Sequence, residues 1–263
     1  MKLPEDLHEV EIASTLDGSP EKSLIYCPPG AENVPLLVGL HTWSCDRFNQ
    51  VEDMLPPCRE RGWALILPEF RGPNRTTNPR APQACASKLA RQDIVDATQF
   101  ALRTLSVDPA RAFLLGASGG GHMAMMMAAY APQLYAGISA WVGITDLAAW
   151  HGQNPNYSEH VEICCGGAPG DSPEVDAQYR ERSPLTHVEA MVEANLSVHH
   201  GRYDRSVPYT HTWRLAQEME RLGAERFFCD IFDGGHELVH QRAFAWLGQL
   251  ADRERGSAGE VTG

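Results

Sequence analysis

Nothing in this 263-residue chain approaches the roughly 20 consecutive apolar residues that a membrane-spanning helix requires. The amino terminus, Met1 to Leu7, also lacks the apolar core of a secretory signal. The expectation is a cytoplasmic chain without leader or anchor. Basic residues are scarce: 22 Lys and Arg face 34 Asp and Glu, for a net charge of −12. That balance argues against nucleic acid or an anionic membrane as a partner. Paired cysteines are missing too. Seven is an odd number without a spaced framework, which points to a reducing compartment. Cys164 and Cys165 are adjacent, a spacing that rarely satisfies disulfide geometry, and no second ligand pair lies nearby. They read as free, partly buried thiols, and neither a metal nor a cofactor is expected.

What remains is an ordinary globular composition, 43% hydrophobic and 21% charged, long enough for one α/β domain with a substantial core. Two short strands, Val10 to Leu16 and Lys22 to Cys27, flank the turn Asp17-Gly18-Ser19-Pro20. Further apolar runs predict strands at 36–40, 63–67, 112–117, 137–143, 196–200 and 226–232. Helical patterns lie near 46–61, 90–105, 120–131, 186–193, 210–222 and 238–251. The alternation predicts an α/β fold: a mostly parallel central sheet of about eight strands with helices on both faces. Residues 1–254 form the expected domain, and 255–263 a disordered tail. Two long stretches, 71–88 and 146–183, read as irregular loops, the second as a small lid.

Gly116-Ala117-Ser118-Gly119-Gly120-Gly121-His122 follows the apolar run Ala112 to Leu115. A strand ending in G-x-S-x-G and turning into a helix is a nucleophile elbow, which lifts a strained serine to the carboxyl end of a sheet. Two acceptable partners follow in order. Asp204 lies after the strand that ends at Gly201, and His236 lies after the strand Phe227 to Phe232. Ser, Asp, His is the chain order of α/β-hydrolases. A serine hydroxyl is a weak nucleophile, so His236 is needed to take its proton, and Asp204 to fix the imidazole tautomer. The oxyanion hole is expected from the Gly119 N–H and an N–H of the loop 41–44, assigned to Trp43.

His122 and His200 compete for the role of base. His122 faces the packing of the elbow helix, and His200 comes too early relative to Asp204. His236-Glu237-Leu238-Val239-His240 matches H-E-x-x-H, a zinc signature whose histidines must stand one helical turn apart. Against a zinc hydrolase, Asp233-Gly234-Gly235 puts His236 at or before a helix start, and the only suitably distant acid is Glu260, in the tail.

Several pieces together resemble the catalytic domain of the prolyl oligopeptidase family, over about residues 34 to 250. They are Phe70-Arg71-Gly72 after Trp63 to Pro68, Gln92 to Ala97, Val107 to Arg111 ahead of the elbow, Arg182-Ser183-Pro184-Leu185, His200-Gly201 to Val207-Pro208, and Gly235-His236. The sequence departs from the family pattern at Gly119, where an aromatic residue is frequent, and at His41-Thr42-Trp43-Ser44, which replaces a His-Gly-Gly type loop. No propeller segment precedes the matching stretch, and the resemblance implies that propeller-free relatives are commonly esterases. The expectation is therefore a serine carboxylesterase acting on short acyl esters, such as acetyl or aryl esters of carbohydrates. Trp150 and His41 are the candidate substrate contacts. The alternative is a small serine aminopeptidase or oligopeptidase of the same family.

Overall fold

The computed structural model describes residues 3–259, with side chains through Arg253. Eight strands run in chain order as β1 (His8–Ala13), β2 (Pro20–Tyr26), β3 (Val34–Leu40), β4 (Ala64–Pro68), β5 (Val107–Ala117), β6 (Gly137–Trp141), β7 (Leu196–Gly201) and β8 (Phe227–Phe232). The helices are α1 (Val51–Arg61), α2 (Lys88–Thr104), α3 (Gly119–Tyr130), α4 (Leu147–Gln153), α5 (Pro155–Cys165), α6 (Pro173–Glu181), α7 (Val188–Met191), α8 (Thr210–Arg221) and α9 (His240–Gly259).

The described strands join in one sheet of spatial order β1-β2-β4-β3-β5-β6-β7-β8. β1 and β2 pair antiparallel, and β2 lies antiparallel to β4. Every pairing from β4 to β8 is parallel. This is the α/β-hydrolase fold. Leu36, Val38 and Leu40 of β3 pack with Leu114 on one face, and Leu37 packs with Phe113 and Leu115 on the other. The uninterrupted apolar runs thus serve two cores, one under each layer of helices, because crossover helices cover both faces of a parallel sheet. Each such leucine, fully enclosed, contributes roughly 1.5–3 kcal/mol by removal from water. The seven cysteines are unpaired thiols, and Cys164 and Cys165 are buried beside Trp150. Among the described residues no helix is long and apolar enough to cross a membrane.

Two expectations need correction. The stretch 146–183 is mostly helical, not an irregular loop. Asp146 caps α4 by accepting the Ala149 N–H at 3.0 Å, and Ser172 caps α6 by accepting the Val175 N–H. Pro155 and Pro173 sit at the first turns of α5 and α6. A proline there has a preset φ and lacks only an N–H that would have no partner anyway. Residues that read as helix breakers are helix openers. Residues 255–259 of the expected tail are helical too, because α9 continues through Gly259. No proline interrupts it, and extending an existing helix across a glycine costs only about 1 kcal/mol. The rest of the expected tail, 260–263, lies outside the described residues.

Candidate active site

Ser118 stands between β5 and α3 with φ 55° and ψ −119°, a conformation that side-chain-bearing residues rarely adopt. Close approach of backbone to backbone holds it there. A Cβ on Gly116 would overlap the carbonyl oxygen of Gly120, and one on Gly119 would overlap the backbone nitrogen of Trp43. The strand, the helix and the loop after β3 therefore converge on Ser118 with no side chain between them. The departure at Gly119 has its cause here: the Trp43 loop occupies the space that a side chain would need.

His236 reaches both of its expected partners. Its Nδ1–H donates to Asp204 Oδ2 at 2.7 Å, which leaves Nε2 to accept the Ser118 hydroxyl at 2.9 Å. The acid loop and the histidine loop are tied by backbone bonds, from the Arg202 N–H to Phe232 O at 2.8 Å and from the Tyr203 N–H to Gly234 O at 2.9 Å. The side chain of Asp204 is fully enclosed. Its Oδ1 accepts the N–H groups of Ser206 and Val207 at 2.8 and 2.9 Å. Its Oδ2 takes His236 and also faces His200 Nε2 at 3.2 Å. Burial pushes the Asp204 pKa up. The hydrogen bonds from His200, His236 and the Val207 N–H outweigh it, holding the carboxyl well below the usual range.

His200 is the residue that the sequence reading set aside. It is buried beneath Asp204, with Nδ1 on the Thr212 hydroxyl at 2.8 Å and Nε2 also on the Val207 carbonyl at 2.8 Å. Its signal was its place at the end of β7, four residues before the acid. His122 is enclosed in the core and donates from Nε2 to the Arg182 carbonyl at 2.7 Å, and burial lowers its pKa to about 4. It is a neutral packing residue.

The Gly119 N–H belongs to the first turn of α3, whose N–H groups have no intrahelical acceptor. The Trp43 N–H lies beside it without an acceptor among the described residues. Trp43 and Ser118 line a cleft of about 380 Å³, whose walls also include Val142, Tyr157 and His236.

The two expected substrate contacts are not in that wall. His41 is buried, stacks on Phe70 at 3.9 Å, and places Nδ1 on Thr42 O and Nε2 on Glu69 O, each at 2.9 Å. Trp150 is 1% exposed and donates from Nε1 to the Ser206 carbonyl at 2.9 Å. It lies edge-on under Trp43, at 4.7 Å between ring centres. Both aromatic rings are spent on packing, and Tyr157, stacked on Trp150, takes the cleft position instead. The zinc reading fails on geometry as well. Only His240 of the H-E-x-x-H segment enters α9, so no helix sets His236 and His240 one turn apart.

The profile of the prolyl oligopeptidase family matches residues 57–251. The acylamino-acid-releasing enzyme of Arabidopsis thaliana is 25% identical over 181 residues, covering 62% of this chain and 22% of that protein. Acylamino-acid-releasing enzyme 2 of Oryza sativa subsp. japonica is 22% identical over 239 residues, covering 83% of this chain and 29% of that one. The chain thus spans under a third of these curated relatives. A puromycin-hydrolyzing peptidase of Mycobacterium tuberculosis superposes with a TM-score of 0.74 at 18% identity, over 93% of this chain and 39% of that one. An acylaminoacyl peptidase of Pyrococcus horikoshii does so with a TM-score of 0.69 at 18% identity, over 88% and 37%.

Proposed function

Because the chain belongs to the prolyl oligopeptidase family, and is a serine hydrolase of that family, we propose that it is a peptidase cleaving aminoacyl amides or short peptides through an acyl-enzyme. The observation that carries this reading is the bridge made by His236, 2.9 Å from Ser118 Oγ and 2.7 Å from Asp204 Oδ2.

In this mechanism Ser118 Oγ attacks the carbonyl carbon while His236 Nε2 takes the hydroxyl proton. Asp204, ionised and acceptor-only, holds the Nδ1–H tautomer and stabilises the imidazolium that forms. The N–H groups of Gly119 and Trp43 meet the oxyanion. Collapse expels the amine, which takes its proton from His236, and water then repeats the sequence to release the acid. Pre-aimed donors of this kind are typically worth about 10²–10³ in rate each.

The amide is favoured over the carbohydrate ester because the similar proteins are acylamino-acid-releasing enzymes and peptidases. Trp150, one of the two expected substrate contacts, is buried and offers no surface for a sugar ring. The test is hydrolysis of an aminoacyl p-nitroanilide against p-nitrophenyl acetate, by wild type and by Ser118→Ala. Anilide cleavage that disappears in Ser118→Ala is the expected result. Rapid ester cleavage with an untouched anilide would reinstate the esterase.

A further inference from the structure

The cleft beside Ser118 is lopsided in charge. Its lining includes Asp53 and Glu237 and contains no lysine or arginine. A second hollow of about 390 Å³ adjoins it, sharing Ser44, Cys45, Asn49 and Asp53, and adds Asp46 and Glu52 without any basic residue. Among the described residues none of these four carboxylates forms an ion pair with lysine or arginine. Arg47, the cation nearest in sequence, is held by Glu9 at 2.6 Å and by Glu69 at 2.7 Å. Glu237 accepts only the Gly235 N–H, at 3.2 Å, and Asp46 the Phe48 N–H, at 3.1 Å.

A buried acceptor without a partner lies in the same wall. Gln50 is 5% exposed, and its Oε1 has no hydrogen-bond donor among the described residues. Its orientation is fixed by a relay. The Thr42 N–H donates to Asn49 Oδ1 at 3.0 Å, and Gln50 Nε2 donates to the same oxygen at 3.1 Å. The amide nitrogen is therefore used, and Oε1 is left over. An enclosed carbonyl oxygen without a donor costs about 1–3 kcal/mol, a penalty that an incoming N–H group would remove. His240, also in the wall, has an unpartnered Nε2, and burial lowers its pKa against the pull of Asp53. Anionic and neutral acceptors thus line one side of the cleft, and no cation opposes them.

We propose that this acidic wall, built by Gln50, Asp53 and Glu237, selects substrates that carry an ammonium or guanidinium group near the bond attacked by Ser118. The inference rests on the serine peptidase reading of the same cleft and narrows its substrate class. The cation has two sources, a free α-amino group or a basic side chain, and the recognition chemistry is common to both.

Two matched pairs separate these sources: L-alanine p-nitroanilide with its N-acetyl derivative, and N-acetyl-L-lysine p-nitroanilide with its norleucine counterpart. Hydrolysis is measured with the wild-type chain, and binding by calorimetry with Ser118→Ala, at low and high salt. The expected result is a preference of about fivefold or more for the cationic member of at least one pair, in kcat/KM and in 1/Kd, shrinking as salt rises. A preference in the first pair assigns the α-amino group, and in the second a basic side chain. In Ser118→Ala carrying Asp53→Asn and Glu237→Gln, the Kd ratio should collapse toward one. Equal or inverted ratios in both pairs overturn the proposal, as does absence of binding by every compound or a ratio unmoved by the two substitutions. Preferential binding without anilide hydrolysis would overturn the peptidase reading alone and leave the acidic wall standing.

Discussion

Ser118 carries its hydroxyl on a backbone with φ 55°, and that strain comes from its Cβ and not from the hydroxyl, so chemistry and stability can be separated at this residue. Ser118→Ala should reduce turnover to background with an unchanged thermal midpoint. Ser118→Gly should be equally inactive and more stable by about 1 kcal/mol, since glycine adopts this conformation without cost; paired melting curves check both. Asp204 uses both of its oxygens fully, on two N–H groups and two imidazoles. Asp204→Asn puts an amide where an acceptor is required and should lower kcat by about 10⁴. His200 acts through Asp204. His200→Ala should lower kcat while leaving KM nearly unchanged, which steady-state kinetics with one anilide would read.

The elbow works as an assembly of elements rather than as a motif. β5 delivers the serine, α3 supplies one N–H, and the loop after β3 presses its own N–H against Gly119. Gly119→Ala would force that loop away and separate the two donors. The expected outcome is a loss of about 10²-fold in kcat with a correctly folded chain, checked by kinetics alongside circular dichroism. The segment after β4 is anchored just as specifically. Arg71, 1% exposed with φ 77°, grips Asp93 at 2.5 and 3.2 Å and Asp17 at 2.8 and 3.0 Å. It thereby fastens the turn between β1 and β2 to α2 and to the start of the long 71–88 connection. Arg71→Met would leave the Asp93 carboxylate buried and unpaired, at a cost of about 3–5 kcal/mol, measurable by urea denaturation.

At the scale of the whole molecule, the hydrogen bonds that hold Asp204 ionised link catalysis to acid stability. Its native pKa is depressed, so its contribution is complete above the ordinary carboxylate value of about 4 and is lost as pH falls from there toward the native value. Thermal midpoints taken between neutral and acidic pH should therefore fall below about pH 4, and the fall should be shallower in Asp204→Asn. The net charge of −12 has a local counterpart in the acidic groove beside Ser118.

The alternation of strands and helices, the elbow, and the chain order Ser118, Asp204, His236 are legible in the order of residues alone. These are written locally, in apolar runs, in glycines at a turn, and in residues placed at strand ends. Which side chains face the cleft is set by packing between distant segments. His41 and Trp150 look like binding residues in the chain, yet neighbours from distant segments bury them. His200 looks dispensable until β7 sets it under Asp204. Gln50 and Asp53, from the start of α1, meet Glu237 beside Ser118 across more than 180 residues of chain. Burial and electrostatic environment are sums over neighbours brought together by packing, and one-dimensional order does not contain those sums.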